Sequence, residues 1–557
     1  MIKPSKFAFL GLLFLALCTF ARAQVAATSC NTADVQNAIN TAKEGQTVTI
    51  PAGTCHWTSG VNVSGKGIAI VGAGSSRVIA VSSSPLTLGS GSQTLTVVGT
   101  SVSNPTPAIS VGQTLTINET GNEGNSLTGT VTAWSSSTGS LTINASSSTG
   151  TCGVPAAYPN GSNCKRWLIS NNPSSQTTLI NDNPTDNALF QITEDTSFHT
   201  NVSGIFVDHG TNRAHVFSIY YTAGGQAVLI HDSRFRVNPN NPAPPSGNGD
   251  VIETDSNRGV VWNISCSSDP FNGSTVGCGG VKDPTNTQST SWSSVSKMGS
   301  LSSGSDAFFI EDSDFHAFGY ANGADDNARM VQRYNMYNNS GMQGSHGADT
   351  SNFGQRFFEA YGNVGRYDAY SDGSTFNLQA WIYLRGGTGL AYNNTLPAMT
   401  SSDYGSKPDI NATVMNLQRS GGPDGCWGQG TSGGADYHAP RQVGFGYVTG
   451  AGHAPTSGGE TQDAFAYVGD SEPFYVWGNS RSTLNWTTSD YGGTACGSNP
   501  DTSSNYLVQG RDYFNGSTAK PGWSAYAYPH PLRGGAGSTS SQTQTPPAPL
   551  AVTAVAH

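Results

Sequence analysis

The sequence predicts an all-β solenoid whose N-terminal end is closed by one helix. In residues 34–74 the apolar period changes once, from helical spacing to the alternation of short strands. The strands that follow are separated by short turns, which leave no room for helical crossovers. The composition agrees with an ordered β protein, because only 11% of residues are charged, Gly occurs 69 times, and 22 Phe, 21 Tyr and 10 Trp can form a core.

The cap helix is predicted from apolar residues that recur along one helix face. They follow the spacing i, i+3, i+4 and i+7, and they are Val35, Ala38, Ile39 and Ala42. Gly45 comes next as a helix stop signal. After it, Pro-Ala-Gly and Gly-Lys-Gly turns separate three alternating runs, at 48–50, 61–63 and 68–71.

The order of these elements resembles a known protein family. An alanine-rich helix followed by Gly-Gln-Thr-Val (45–48) and Pro-Ala-Gly-Thr (51–54) resembles the opening of right-handed parallel β-helix proteins of the pectin-lyase-like superfamily. Further segments look like parts of a group of exported bacterial β-helix proteins, namely 385–389, 473–479, 509–514 and 521–532. The resemblance covers most of residues 30–533. It implies a right-handed parallel β-helix with a long groove for a linear polymer, usually a polysaccharide.

The N-terminal residues predict export. Lys3 and Lys6 precede an apolar stretch at 7–20, and Ala21-Arg22-Ala23 has the small-x-small pattern of a signal peptidase site. We therefore expect a mature chain that starts at Gln24, has no transmembrane span, and is secreted or held in the cell envelope.

The cysteines predict disulfides. Removal of the signal takes Cys18 away and leaves an even number, which favours pairing in an oxidising compartment. Two pairs enclose short polar loops and are predicted to be local bridges, Cys152 with Cys164 and Cys266 with Cys278. Because the chain has no Cys-x-x-Cys pair, a zinc site of the usual spacing is not expected.

We divide the chain into six regions: a signal peptide (1–23), the cap helix and first coils (24–84), an inserted small all-β module (85–170), the β-helix solenoid (171–400), C-terminal coils and loops (401–533) and a flexible tail (534–557). The module is predicted from Gly-flanked strand-like runs at 86–97, 112–120, 127–134 and 139–146. It resembles a compact strand module of phage tail and other surface proteins. Residues 167–170 are predicted to return the chain to the solenoid.

The solenoid is predicted from a loose repeat. Apolar runs that lead into Asn, Asp or Gly recur at 228–235, 260–266, 308–315, 330–337, 356–364 and 390–396. Asn or Asp at such a turn can bond to the same position one coil along, which satisfies backbone groups in the bend. Longer segments rich in Gly, Pro, Ser and Asn, at 237–258 and 267–305, are predicted to be loops that wall a binding face.

The charge pattern limits the choice of partner. The formal net charge is −10 and no basic cluster occurs, whereas nucleic-acid binding needs several Lys or Arg on one face. Nucleic acid is therefore excluded as the expected partner, and a polysaccharide is expected instead. A local basic patch could still bind uronates. We expect a monomer.

The first catalytic hypothesis is glycoside hydrolysis. Asp325 and Asp326 are followed, one coil length later, by His346 with Asp349 close behind, so carboxylates and imidazole could share one face. This layout is similar to the polygalacturonase family pattern of Asn-Thr-Asp, Asp-Asp, Gly-His-Gly and Arg-x-Lys. The chain differs from that pattern, because it has no Asn-Thr-Asp one coil upstream and Arg385-Gly-Gly stands in place of Arg-x-Lys.

The second hypothesis is β-elimination of a uronate polymer, which needs a cation for the carboxylate and a base for the C5 proton. Candidate cations are Arg329, Arg333, Arg356, Arg366 and Arg385. Calcium is the possible cofactor, and the acidic groups that could bind it are Glu311, Asp312, Asp314, Asp325 and Asp326. The Arg-x-Pro-x-x-Arg pattern of classical pectate lyases is absent from the sequence.

From these hypotheses we select Asp325, Asp326, His346, Asp349 and Arg356 as catalytic candidates, and Arg333, Trp381, Tyr383 and Arg385 as substrate-binding candidates. Trp381 and Tyr383 lie on the same side of one strand, either in the core or as a platform for sugars. Each candidate also has a structural interpretation as a ladder, core or loop residue. The sequence thus leaves two functions open: a secreted polysaccharide-cleaving enzyme, and a non-catalytic protein that binds a glycan or a cell surface.

Overall fold

A computed structural model of the chain describes residues 24–100, 105–151, 166–185, 187–210, 215–238, 250–272, 277–281, 307–324, 328–345, 357–366, 381–384, 388–395, 411–414, 473–480, 485–488, 509–510 and 513–534. The first coils comprise β1 (Gln24–Ala26), α1 (Thr32–Thr41), β2 (Thr47–Ile50), β3 (Gly53–Trp57), β4 (Val61–Val63) and β5 (Ala69–Gly72). The next strands belong to the inserted module: β6 (Val78–Ser82), β7 (Gly91–Thr96), β8 (Val98–Gly99), β9 (Thr114–Glu119), β10 (Asn122–Ser135), β11 (Ser140–Thr149) and β12 (Trp167–Asn171).

The solenoid then continues with β13 (Thr177–Asn181), β14 (Phe190–Thr193), β15 (Asn201–Ser203), β16 (Ile205–His209), β17 (Phe217–Tyr220), β18 (Val228–His231), β19 (Arg234–Val237), β20 (Ile252–Thr254), β21 (Gly259–Trp262), β22 (Ser265–Asn272), β23 (Gly279–Val281), β24 (Phe308–Glu311) and β25 (Asp314–Phe318). Its remaining strands are β26 (Asn322–Ala324), β27 (Arg329–Arg333), β28 (Met336–Asn338), β29 (Gln343–Ser345), β30 (Phe357–Tyr361), β31 (Val364–Arg366), β32 (Ile382–Leu384), β33 (Thr388–Tyr392), β34 (Asn411–Val414), β35 (Phe474–Trp477), β36 (Asn485–Thr488) and β37 (Tyr513–Gly516).

These strands form a parallel β-helix, as predicted. The first sheet has the order β1-β2-β5-β15-β18-β21-β24-β27-β30-β33-β35-β37, the second β3-β13-β16-β19-β22-β25-β28-β31, and the third runs from β4 and β14 through β17, β20, β23, β26, β29, β32 and β34 to β36. Neighbouring strands in each of these sheets are parallel and come from successive coils. The interior holds one continuous apolar core, because side chains alternate between the inside and the outside of the solenoid.

Helix α1 closes the N-terminal end, which confirms the predicted cap. Val35, Ala38 and Ile39 are buried, as their helical spacing requires, and they belong to the same apolar core as the first strands. A disulfide between Cys30 and Cys55 joins the segment before the helix to β3. The second described disulfide, Cys266–Cys278, is the predicted local bridge. Cys152 and Cys164 lie outside the described residues.

The turns from the first sheet to the second are the tightest part of each coil. From β15 to β31 each contains one or two residues, and its first residue has a positive φ: Gly204, Asp232, Asn263, Asp312, Tyr334 and Gly362. Gly, Asn and Asp tolerate this conformation best. The second residue forms a ladder along the solenoid, in which the backbone N–H groups of Asn335, Asn363 and Asn394 each donate to the Oδ1 of the next asparagine at 2.9–3.0 Å.

The inserted module is an antiparallel sheet of order β7-β11-β10-β9-β12-β6-β8. It includes β6, which the sequence analysis placed in the first coils, and β12, whose residues 167–170 were expected to return the chain to the solenoid. The reason is that β6 and β12 pair with each other, Trp167 opposite Ser82, so the two ends of the insertion meet. The whole module therefore fits into the single turn between β5 and β13.

Residues 520–534, which we call the C-terminal strap, lie on the outer face of the first sheet. Trp523 packs edge-on against Tyr392 with ring centroids 4.7 Å apart, and Tyr528 packs against Tyr334 at 4.2 Å. The backbone carbonyls of Tyr526 and Ala527 accept hydrogen bonds from Arg333. This face of the solenoid is therefore covered by the chain itself.

A helix long and apolar enough to cross a membrane does not occur within the described ranges.

Candidate functional site

The lengths of the connections single out the third sheet. The turns between the first and second sheets are short from β15 to β31, whereas the two edges of the third sheet carry the long connections. Before its strands come 238–251 and 367–381, and after its strands come 282–307, 346–356 and 415–473. Long connections at both edges of one sheet favour its outer face as a binding surface.

The floor of this surface is a row of small or uncharged side chains with one carboxylate. Outward-facing positions alternate with buried ones along each strand, and the register places six of them side by side. These positions are Asn62, Gln191, Ser218, Glu253, Gly280 and Gly323. None of the described residues in this row is Lys or Arg, so the floor offers hydrogen-bonding groups and negative charge.

Polar groups come together at Ser218 and Glu253, which lie opposite each other in the ladder. His215 Nε2 is 2.8 Å from the Ser218 hydroxyl and 3.5 Å from a Glu253 carboxylate oxygen. The same imidazole nitrogen, Nε2, approaches both the hydroxyl and the carboxylate. In the catalytic triad of a serine hydrolase, the histidine contacts the serine through one nitrogen and the carboxylate through the other, so this arrangement is not such a triad. The side chain of Glu253 is 30% exposed on the outer face of the third sheet.

An aromatic ring lies on the same face. Tyr220 ends β17 two residues after Ser218, so it points to the same side of the sheet. It is 42% exposed, which makes it one of the few exposed large apolar residues in the described structure. An open aromatic face beside hydroxyl, amide and carboxylate groups is suited to stacking against a sugar ring.

A second carboxylate reaches the floor from the edge of the sheet. Asp250 precedes β20, and its Oδ1 accepts a hydrogen bond from the backbone N–H of Gly277 at 2.6 Å. Its Oδ2 occupies the space above Gly280, where a Cβ at that position would clash with it. The glycine therefore provides the room that lets the Asp250 carboxylate lie on the floor.

Most sequence-predicted site residues lie outside the described residues: Asp325, Asp326, His346, Asp349, Arg356 and Arg385. The backbone of Tyr383 is in β32 of the third sheet, opposite Gly344, but its side chain is outside the description. Trp381 belongs to the core and packs edge-on against Tyr337 at 5.3 Å. In this structure its ring is therefore not open to a sugar.

Arg333 is fully buried beneath the C-terminal strap. Its Nε donates to Glu311 at 2.7 Å and its NH1 donates to the Tyr361 hydroxyl at 3.1 Å. Burial alone would raise the pKa of Glu311, but Arg333 and Arg533 lower it to about 2. The described contacts of Arg333 are thus structural, and no part of its guanidinium reaches solvent.

The other described acidic and basic candidates also contact neighbouring parts of the chain. Asp312 occupies a positive-φ turn and accepts hydrogen bonds from Tyr528 and Arg533, and Asp314 bonds to His316 at 2.7 Å. Arg329 is buried. Arg366 contacts Ser83 of the module. Among the described residues no three His, Cys, Asp or Glu side chains come together as a metal site.

A buried charged cluster lies where the module packs on the outer face of the second sheet. Glu123 of the module binds Arg234 at 2.7 Å, and Arg236 forms a bidentate pair with Asp208. Burial together with Glu123 raises the pKa of Asp269 to about 6. The cluster connects module to solenoid, so we assign its described contacts to packing of these two parts.

Comparison with known proteins identifies no family for this chain. No protein family matches the chain, and no curated protein matches it. Among solved structures, the tailspike gp61 of Pseudomonas phage phi297 is 10% identical, with 82% of this chain and 72% of that chain covered and a TM-score of 0.17. The Gp54 tailspike of Acinetobacter baumannii bacteriophage AP22, solved in complex with A. baumannii capsular saccharide, is 9% identical, with 83% and 79% covered and a TM-score of 0.14. Such TM-scores do not relate individual residues.

Proposed function

We propose that this protein binds a polysaccharide in the groove on the outer face of the third sheet. The observation that carries the proposal is the in-register row from Asn62 to Gly323, with Tyr220 beside it and long connections at both edges of the sheet. A linear polymer suits such a row, because each coil offers an equivalent position about 4.8 Å from the last.

The catalytic candidates predicted from the sequence also belong to this proposal. Strands β26 and β29 are in register, with Ala324 opposite Ser345. Asp325 and His346 are the next residues in the sequence, so each follows one of two paired residues at the same edge of the third sheet. We therefore keep Asp325, Asp326, His346 and Asp349 as candidates for polymer cleavage at this edge, in a protein exported from the cell.

Tyr220 provides the first test. Replacing Tyr220 with Ala removes the exposed ring, so retention of the protein on an immobilised polysaccharide should fall about tenfold, the effect of about 1.4 kcal/mol. Affinity electrophoresis in gels that contain dextran, galactomannan, xyloglucan, polygalacturonate or alginate would measure it.

The matched control is Val111→Ala, because Val111 is an exposed apolar residue of the module, away from the groove. It should leave the mobility unchanged. If no gel retards the wild-type protein, or if Tyr220→Ala is retarded as strongly as the wild type, binding on this face is contradicted.

A non-catalytic adhesive role is the second candidate function. The outer face of the module carries uncharged hydroxyl groups in cross-strand pairs, Thr94 with Thr142 at 3.1 Å and Ser126 with Thr149 at 2.7 Å. Such a face favours contact with a glycan or a cell surface without chemistry. Retention of the protein on these polymers with no release of new ends would support this role.

A further inference from the structure

We propose that Asp250 and Glu253 are the acid–base pair of a hydrolase that cleaves a neutral polysaccharide in the third-sheet groove. The proposal rests on the proposed binding function, to which it adds a reaction and a substrate class. It differs from the sequence-based candidates, which lie further along the same sheet.

The first argument is the placement of the two carboxylates. Ser218, Glu253 and Gly280 occupy the same position in three successive coils. The carboxylate of Glu253 approaches His215, beside the preceding coil, whereas that of Asp250 lies above Gly280 in the following coil. With strands about 4.8 Å apart, the two carboxylates are separated by roughly one to two strand spacings, on the order of 5–10 Å. Pairs of glycosidase carboxyl groups fall in this range.

The second argument is that the two groups have different surroundings, as an acid and a base require. The backbone N–H of Gly277 donates to Asp250 at 2.6 Å, and this hydrogen bond stabilises a negative charge on Asp250. The carboxylate of Glu253 lies 3.5 Å from the imidazole of His215, and its side chain is 30% exposed. Asp250 is therefore assigned as the base and Glu253 as the acid.

The third argument concerns the substrate. A uronate polymer carries one negative charge on every residue, and β-elimination needs a cation to neutralise it. The described floor row has no Lys or Arg, and the nearby Arg258 is paired with Glu194 at 2.9 Å and lies 4.9 Å from the Tyr221 ring. Two carboxylates on this floor would repel a uronate. A neutral glycan meets no such repulsion.

The reaction balances with water as the only co-reactant. Glu253 donates its proton to the glycosidic oxygen as the bond from that oxygen to the anomeric carbon breaks. Asp250 accepts a proton from a water molecule whose oxygen forms the new bond to the same carbon. The products are two shorter neutral saccharides, one with a new reducing end, and proton exchange with solvent restores both carboxyl groups.

The experiment measures new reducing ends and unsaturated products with the full exported chain. The probes are dextran, galactomannan and xyloglucan as neutral polymers, and polygalacturonate and alginate as acidic ones. We expect reducing ends from at least one neutral polymer, no absorbance from an unsaturated uronate product, and no cleavage of the acidic pair.

Asp250→Asn and Glu253→Gln should each lower that rate at least a hundredfold, the usual effect of losing one acid or base. The matched control is Asp232→Asn, the same chemical change at a turn between the first and second sheets, where Asn also tolerates the φ of 50°. Its rate should equal that of the wild type.

Gly280→Ala tests positioning without touching a reacting group. A Cβ there would displace the Asp250 carboxylate, the end of a flexible side chain, so the chain should fold and the rate should fall. Retarded mobility in gels of the cleaved polymer should persist in all three groove variants, which separates binding from chemistry.

Three results would overturn the inference: cleavage by elimination, cleavage of only the acidic polymers, or wild-type rates in Asp250→Asn and Glu253→Gln. Gel retardation by a neutral polymer with no cleavage would also overturn it, while leaving the binding proposal intact. Loss of binding to all five polymers would instead refute the proposed function itself.

Discussion

Two buried glutamates beneath the C-terminal strap show how neighbouring groups decide a protonation state. Glu311 has Arg333 at 2.7 Å and Arg533 at 2.8 Å, and its pKa is lowered to about 2 despite burial. Glu359, also on the outer face of the first sheet, accepts a hydrogen bond from the Trp523 indole N–H at 3.1 Å, and burial raises its pKa to about 7. Both are fully buried, so the difference comes from their partners.

The raised pKa of Glu359 predicts a loss of stability with rising pH. The folded state holds this proton more tightly than the unfolded chain, so the free energy of unfolding should fall between about pH 4.5 and pH 7 and then level off. The full effect is about 3 kcal/mol. In Glu359→Gln, which keeps an acceptor for Trp523, thermal unfolding followed across this range should show a weaker pH dependence.

Thr130→Ala is the control, because Thr130 is an exposed residue of the module that does not titrate. Its pH dependence should match that of the wild type. An unchanged pH dependence in Glu359→Gln would mean that Glu359 is ionised in the folded protein at neutral pH.

At the scale of single residues, the sequence predicted the turn positions better than the site. Asp312 is a turn residue with positive φ, as its structural interpretation required. The burial of Arg333 could not be predicted, because it depends on which face of the solenoid the C-terminal strap covers. The burial of Trp381 depends on which residues of its strand point into the core. His215, Ser218, Tyr220, Asp250 and Glu253 were missed. The alternation of Phe217-Ser-Ile-Tyr and of Ile252-Glu-Thr was a usable signal for three of them.

At the scale of elements, the asparagine ladder explains how coils of different length stay in register. Asn363 accepts from the backbone N–H of Asn335 at 3.0 Å and donates to the backbone carbonyl of Gln332 at 2.9 Å. The ladder joins consecutive turns between the first and second sheets. It does so whatever the length of the connections that flank the third sheet. The repeat was visible in the sequence for this reason, although the spacing between runs varies.

Replacing Asn363 with Ala should therefore destabilise the solenoid strongly. The change leaves a buried N–H and a buried carbonyl without a partner, which costs about 1–3 kcal/mol for each group. We expect a total loss of about 3 kcal/mol, measured as a lower midpoint of urea unfolding. Asn144→Ala, an exposed change in the module, should leave the midpoint nearly unchanged. A midpoint within error of the wild type in Asn363→Ala would show that water replaces the ladder.

The cap helix and strands were predictable as elements because each has a local period. The limits of the module were not, because pairing of β6 with β12 is a contact between residues far apart in the sequence. Local Gly-Thr patterns identify strands but do not say which sheet they join.

At the scale of the whole molecule, module and solenoid share a buried interface rather than a flexible link. Met336 of the solenoid packs with Val78, Val81 and Leu168 of the module. Beside this apolar contact, Glu123 accepts from Arg234 and from the Ser267 hydroxyl at 2.6 Å. Burial alone would raise the pKa of Glu123, but Arg234 and Arg236 lower it, so the carboxylate is ionised and paired.

This interface predicts cooperative unfolding of the two parts and a way to separate them. Glu123→Ala leaves the guanidinium of Arg234 buried without its carboxylate, which typically costs about 3–5 kcal/mol. Calorimetry of the wild type should show one transition, because neither part can unfold without exposing the cluster. The variant should show two transitions, the module melting first, since the ladder and core of the solenoid are unaffected by the change. Thr130→Ala, on the exposed outer face of the module, should keep the single transition. Two transitions already present in the wild type would contradict the coupling, and module and solenoid would then be independent folding units.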